Sequence, residues 1–339
     1  MKKPIKELPT FTYRTYKGGK LMREFLGEAD AADSFQPEDW ISSFVSAKNR
    51  VVIENEGITR VICDGEEKLI TDVVCADDLG QGRKESGVLI KFLDSSERLG
   101  IQVHPTVDFA KKYFSSQFGK TECWHILGTR TVDGQEPCIY MGFKEHVTKE
   151  IWKDLFDRQD IGGMLDAMHR FEVKAGDTVL VKGGTPHAIG AGCFMIEIQE
   201  PTDYTMRVEK VTVAGETLTP MQIHYGIGEE AMLDCFNYDR ADRDQVKKSA
   251  FLNCEWRDGV CEPVTYEDTP CFALKRFKRE EYDICSECFL TVIVLSNGGK
   301  ICYDGAEEDV KRGDKYFIPA GTPVKFLNTE AVICYPPKR

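Results

Sequence analysis

G-D-T-V-L-V-K-G-G-T-P-H, residues Gly176 to His187, returns later in the chain as G-D-K-Y-F-I-P-A-G-T-P-V, residues Gly313 to Val324. The two copies align without a gap, and each follows a Val-Lys pair, Val173-Lys174 and Val310-Lys311. Repetition of this kind means one supersecondary unit used twice. Its chemistry is turn, strand, turn: Gly permits positive φ, the apolar run extends, and Pro fixes the exit. The copies differ where chemistry would sit, since His187 in the first is Val324 in the second. One unit is therefore expected to keep a polar site and the other a filled apolar interior.

Gln102-Val103-His104 and Gly119-Lys120-Thr121-Glu122-Cys123-Trp124 add to the first unit. Extended side chains alternate faces, so Gln102 and His104 share one face, and Lys120, Glu122 and Trp124 share another. His125 then faces away from Glu122. An amide oxygen, an imidazole and a carboxylate aimed into one cavity suit a borderline divalent ion such as zinc, with a position left for substrate. An ordinary strand pair carrying a satisfied polar cluster reads equally well from this spacing alone.

The rest of the chain is expected to be mostly β. Short apolar or alternating runs recur at Arg50–Glu54, Thr59–Cys63, Val88–Leu93, Gly100–His104, Thr121–Leu127, Pro137–Phe143, Asp177–Lys182 and Cys193–Gln199, with turn residues between them, as in a sandwich or barrel. A later set runs from Phe272–Lys278 to Ala331–Tyr335. Helical periodicity is confined to Thr106–Phe118, Thr148–Asp157, Asp160–His169 and a mixed stretch from Met221 to Lys248. The division this predicts is an amino-terminal region plus a metal-binding barrel with a helical connection over residues 1–240, and a second, metal-free barrel over residues 250–339. The segment up to Lys48 is expected to pack against the first barrel.

A chain of 339 residues exceeds what one core usually serves. A formal net charge of −12 argues against a nucleic-acid or anionic-membrane partner, which would need a basic face. No apolar run is long enough to span a bilayer, and no signal peptide is apparent. Thirteen cysteines without a secretory signal predict reduced thiols in a cytoplasmic protein. Cys285-x-x-Cys288 has no second pair to complete a zinc site and reads as two thiols beside a strand.

The runs Gln102-Val103-His104-Pro105, Gly119 to Trp124 and Gly184-Thr185-Pro186-His187-Ala188-Ile189-Gly190-Ala191-Gly192, continued by Glu197-Ile198-Gln199 and Thr205-Met206-Arg207-Val208, resemble the type I mannose-6-phosphate isomerases. These are zinc enzymes of the cupin superfamily. The resemblance is strong over residues 99–208 and looser beyond. It implies a mainly β fold of two jelly-roll (cupin) barrels with a few short helices. It also implies one Zn²⁺ per chain and a small-molecule sugar phosphate as partner. The reaction it implies interconverts mannose 6-phosphate and fructose 6-phosphate through an enediol or enediolate. Carried over by position, the metal ligands are Gln102, His104, Glu122 and His187, and the catalytic residues are Arg207 and Lys120. The general base is not identified by the motifs; Glu197, Glu200, Asp203 and His125 are near in sequence.

The chain also departs from the family pattern. Gly100 stands where the family usually has Ser, Glu209-Lys210 follow the Arg-Val pair in place of Tyr-Asp, and Lys182 replaces a Pro. None of these removes a ligand, and all could alter which sugar is accepted. The competing reading is a non-catalytic or altered-specificity sugar-binding cupin.

Overall fold

The computed structural model describes residues 2–338 and is built from three antiparallel sheets with short helices between strands. A seven-stranded sheet runs, edge to edge, through Phe251–Leu252, Thr178–Val181, Glu122–Thr129, Cys193–Gln199, Leu89–Asp94, Glu38–Ile41 and Phe11–Thr12. A five-stranded sheet of Met168–Glu172, Cys138–Phe143, His187–Ile189, Gln102–Val103 and Met206–Arg207 faces it. Trp124, Ile126 and Met195 from the first sheet and Ile139, Met141 and Ile189 from the second form the core between them. A ten-stranded sheet holds the carboxy-terminal strands, whose interior is filled by Leu290, Val292, Val294, Ile301, Val324, Phe326 and Ile333. This is the mainly β, two-jelly-roll (cupin) architecture expected from the sequence.

Alternation explains how one sheet serves two cores. On Cys193–Gln199, Ile196 and Ile198 point outward to meet Ile293, Phe317 and Val332 of the ten-stranded sheet. Glu197 lies between them and turns to the inner side, in register with Lys91 and Trp124. Every residue of this strand is buried, which is why it reads as a near-continuous apolar run. The five-stranded sheet is backed instead by helices. Val103, Ala188, Met206 and Val208 pack outward on Trp152, Phe156, Ile223 and Leu233. Gln102, His187 and Arg207 are left for the inner side.

The two copies of the repeat form the same strand–turn–strand unit, Thr178–Val181 with His187–Ile189 and Lys315–Ile318 with Val324–Tyr335. The amino-terminal segment serves both sheets rather than only the first. Ile5–Glu7 pairs with residues 315–317 and with Val61 and Ile62, whereas Phe11–Thr12 pairs with Glu38 and Asp39. The run Arg50–Glu54 is not a strand: it is a loop in which Val51, Val52 and Ile53 are all exposed, because no neighbouring strand pairs with it. The helices are shorter than periodicity predicts. Val107–Phe114 ends at Ser115 in left-handed conformation, and the stretch from Met221 breaks into Pro220–His224 and Glu229–Leu233 at Tyr225, Gly226 and Gly228, all at positive φ. Asp160–His169 yields the helix Ile161–Asp166, and His169 lies on the strand Met168–Glu172. Among the described residues no helix is long and apolar enough to cross a membrane.

Candidate metal centre and active-site cleft

His104 sits just past the strand Gln102–Val103, on a segment held from two sides by glycines. A Cβ on Gly119 would lie 2.6 Å from the Pro105 carbonyl oxygen, and one on Gly183 would lie 2.8 Å from the same atom. Only glycine allows either approach. Backbone hydrogen bonds exploit that closeness: Lys120 N–H donates to Pro105 O at 2.9 Å and Gly184 N–H to His104 O at 2.7 Å. Glu200 fixes the next turn by accepting from the Gly119 and Thr121 amides at 3.1 and 2.8 Å. The Gly-Lys-Thr-Glu and Gly-Gly-Thr-Pro-His motifs are thus clamped onto one stretch of backbone.

The ligand atoms of His104, Glu122 and His187 all lie within 4.8 Å of one another, and all three residues are buried. Each imidazole has its Nδ1 beside a backbone carbonyl, His104 at Tyr204 O (2.9 Å) and His187 at Thr185 O (2.8 Å). A carbonyl only accepts, so Nδ1 carries the proton and Nε2 is left with its lone pair inward. His104 Nε2 is 3.0 Å from Glu122 Oε2, and His187 Nε2 is 3.6 Å from Glu122 Oε1. Gln102 opposes His187 in register and brings its amide nitrogen to 3.2 Å from His187 Nε2. A half-turn of that amide puts its oxygen in the same place.

Burial lowers the His104 pKa to about 3, against the pull of Glu122, and lowers that of His187, so both rings are neutral near pH 7. Burial works to raise the Glu122 pKa, but the Lys120 ammonium beside it helps hold the carboxyl well below the usual range. Trp124 Nε1 donates to Glu122 Oε1 at 3.1 Å, while Oε2 is buried and accepts no well-directed hydrogen bond. Two inward lone pairs, a carboxylate oxygen short of donors and an adjacent amide are what a divalent cation requires, and the residues fit one. The four predicted ligands converge.

Lys120 and Arg207 also reach this place. Lys120 Nζ lies 3.1 Å from His104 Nε2 and 3.3 Å from Glu122 Oε2. Burial would discharge it, but Glu122 and Glu197 outweigh that effect and raise its pKa. Arg207 opposes Gln102 across the strand pair and donates from Nη1 to the carbonyls of Gln222 (2.7 Å) and Thr205 (3.2 Å). Both line a cleft with Gln102, Glu122 and Glu197. His125 lies outside it, on the opposite face, beside Thr178 Oγ1 at 2.9 Å and Arg276 Nη1 at 3.4 Å.

The cleft holds charges that motif reading did not single out. Arg14 donates to Glu38 Oε2 at 2.9 Å and to both oxygens of Asp203 at 3.3 Å, and Lys91 Nζ is 3.7 Å from Glu38. Arg14 and Lys91 hold Glu38 far below the usual carboxylate range despite its burial. Glu197, by contrast, is pushed up to about 8 by burial, against the effect of Lys91. Arg14 and Glu38 lie far from the motifs in sequence, so no motif marks them out.

No family model matches the chain. It is 29% identical over 238 residues to the probable mannose-6-phosphate isomerase GmuF of Bacillus subtilis, covering 69% of each chain. It is 35% identical over 121 residues to the mannose-6-phosphate isomerase ManA of the same organism, 36% of each chain. The chain is a homologue of mannose-6-phosphate isomerases. The crystal structure of the mannose 6-phosphate isomerase from B. subtilis superposes with a TM-score of 0.73 at 22% identity, covering 98% of both chains. A phosphomannose isomerase variant from Salmonella typhimurium gives 0.75 at 14% identity over 99% of this mannose-6-phosphate isomerase homologue and 100% of that chain. At these identities the two structures speak for the fold.

Proposed function

We propose that the chain is a zinc-dependent aldose–ketose isomerase that interconverts mannose 6-phosphate and fructose 6-phosphate. The observation carrying this reading is that two neutral imidazoles, a carboxylate and an amide converge in a cleft beside Arg207, which donates to the carbonyls of Thr205 and Gln222. The relatives' names supply the substrate. The mixed nitrogen and oxygen donors suit Zn²⁺, held by Gln102, His104, Glu122 and His187. Bound there, the ion supplies Lewis-acid polarisation of sugar oxygens.

The chain's own groups account for the rest of the chemistry. Isomerisation takes a proton from one carbon beside the carbonyl and returns it to the next. Among the carboxylates near the motifs, Glu200 is committed to the Gly119 and Thr121 amides and Asp203 to Arg14, while His125 is outside the cleft. Glu197 is left, on the cleft wall, to hold and move the proton. Arg207 stabilises negative charge as it develops on the sugar, and the Lys120 ammonium adds to that field in a buried site where charge is weakly screened.

Incubation of zinc-loaded protein with mannose 6-phosphate in D₂O tests this. Expected are conversion to fructose 6-phosphate and deuterium at C1 or C2, both abolished by a chelator. Tight sugar-phosphate binding with neither conversion nor exchange would favour the non-catalytic reading.

A further inference from the structure

Outward from the metal cluster, the cleft wall carries an ion pair that neither metal binding nor proton transfer uses. Gln102 and Arg207 face each other across their strand pair. Gly100 and Glu209 lie two residues farther along the same two segments and line the same cleft. The pairing continues to this point, because Val208 N–H donates to Ile101 O at 3.1 Å and Ile101 N–H donates to Glu209 Oε1 at 2.6 Å. Arg98 grips both oxygens of Glu209, at 2.5 and 2.9 Å, and gives a further N–H to Leu99 O at 2.9 Å. Glu209 is only 3% exposed. Beside the pair the wall is open: a Cβ on Gly100 would meet just one atom within 4 Å, Glu209 Oε1 at 3.9 Å.

Two residues of extended chain span about 6–7 Å. That is comparable to the reach of an open-chain hexose from its reacting carbons to its far end. Of the other cations of the cleft, three are engaged by carboxylates, Arg14 by Glu38 and Asp203, Lys91 by Glu38, and Lys120 by Glu122, while Arg207, at the metal end, donates to carbonyls. Arg98 is engaged more closely than any of them, in a two-oxygen grip that cancels its charge.

We propose that the Arg98–Glu209 pair and the gap at Gly100 form the subsite that reads the distal end of the substrate. Glu209 lowers the preference for a phosphate there relative to a hydroxyl. The identity of the cleft's occupant rests on the isomerase reading. A neutral pair can hydrogen-bond a hydroxyl without net charge, whereas a dianion finds the Arg98 charge already neutralised by Glu209 and gains no net attraction there.

The test compares mannose 6-phosphate with mannose on the metal-loaded protein, by kcat/KM and separately by calorimetric Kd. Glu209→Gln keeps an acceptor for Ile101 N–H and removes the charge. It should raise the phosphate-to-free ratio about tenfold, through KM and Kd, with zinc stoichiometry unchanged. Arg98→Gln leaves the carboxylate unbalanced and should move the ratio the other way. Gly100→Ser fills the gap and should raise KM for both sugars. Ratios within twofold of the parent in the two charge variants, with melting temperature and zinc retained, would overturn the subsite. A shift in Kd without turnover of any sugar would keep the subsite and sink the isomerase reading. Turnover with unmoved ratios would do the reverse.

Discussion

The Trp124 indole donates to one oxygen of Glu122 while the other faces the imidazoles, so the carboxylate is pinned at one end and offered at the other. Partners of this kind typically change metal affinity 10- to 100-fold when removed. Trp124→Phe is accordingly expected to weaken zinc binding by about tenfold, read by competition with a chromogenic chelator, and to lower stability as well, since Trp124 is a fully buried core side chain. His104→Ala and His187→Ala should each lose stoichiometric zinc and activity together; zinc retained in either would refute the ligand set. Arg207→Ala should keep zinc and lose roughly 100-fold or more in kcat, as removal of one electrostatic stabiliser does elsewhere. The set of four donors rests on the resemblance, the repeat singles out His187, and alternation along two strands groups Gln102, His104 and Glu122. It could not say which distant side chains complete the cleft. Arg14, Glu38 and Lys91 enter through strand neighbours far away in sequence, and nothing local specifies those pairings.

At the level of elements, glycine marks where one segment presses against another. Gly183 and Gly119 flank the backbone that carries His104, each too close to Pro105 O for a side chain. Gly183→Ala must push that segment aside, and a cost of about 1–3 kcal/mol is expected in denaturant unfolding, with weaker zinc binding. An alanine variant with full stability and full zinc affinity would show that the contact is not needed. Turn chemistry made the repeated unit legible, because Gly, Asp and Pro at fixed offsets have few alternatives. The loop around Val51, Val52 and Ile53 misled for the opposite reason. Three β-branched apolar residues look like strand anywhere, and whether a strand forms depends on a partner edge that the local sequence does not contain. The helices were overextended where residues at Ser115 and Tyr225 take positive φ without glycine, which composition does not reveal.

At the scale of the molecule, the junction between the sheets is polar as well as apolar. Glu7 accepts from both the Ser42 amide and hydroxyl, next to the buried Lys315–Asp39 pair. Burial raises the Glu7 pKa from the usual 4.5 to about 7, against the effects of Ser42 and Lys315. Between these values the folded chain holds more protons than the unfolded one, so this group's contribution is full below about pH 4.5 and is lost as pH rises through about 7. Glu7→Gln should flatten that part of the stability–pH profile, measured by thermal unfolding in matched buffers. An identical slope in the variant would remove Glu7 as its source.

The sheet that lines the cleft with Glu122 and Glu197 shows its reverse side, Ile196 and Ile198 among others, to the carboxy-terminal strands. The carboxy-terminal strands are therefore the backing plate of the half that carries His104, Glu122 and His187. A fragment cut after the helical connection would bare a broad hydrocarbon surface and strip Ile5–Glu7 of its partner strand. Such a fragment should clump rather than fold, which gives the donorless repeat a reason to stay: it keeps its twin upright.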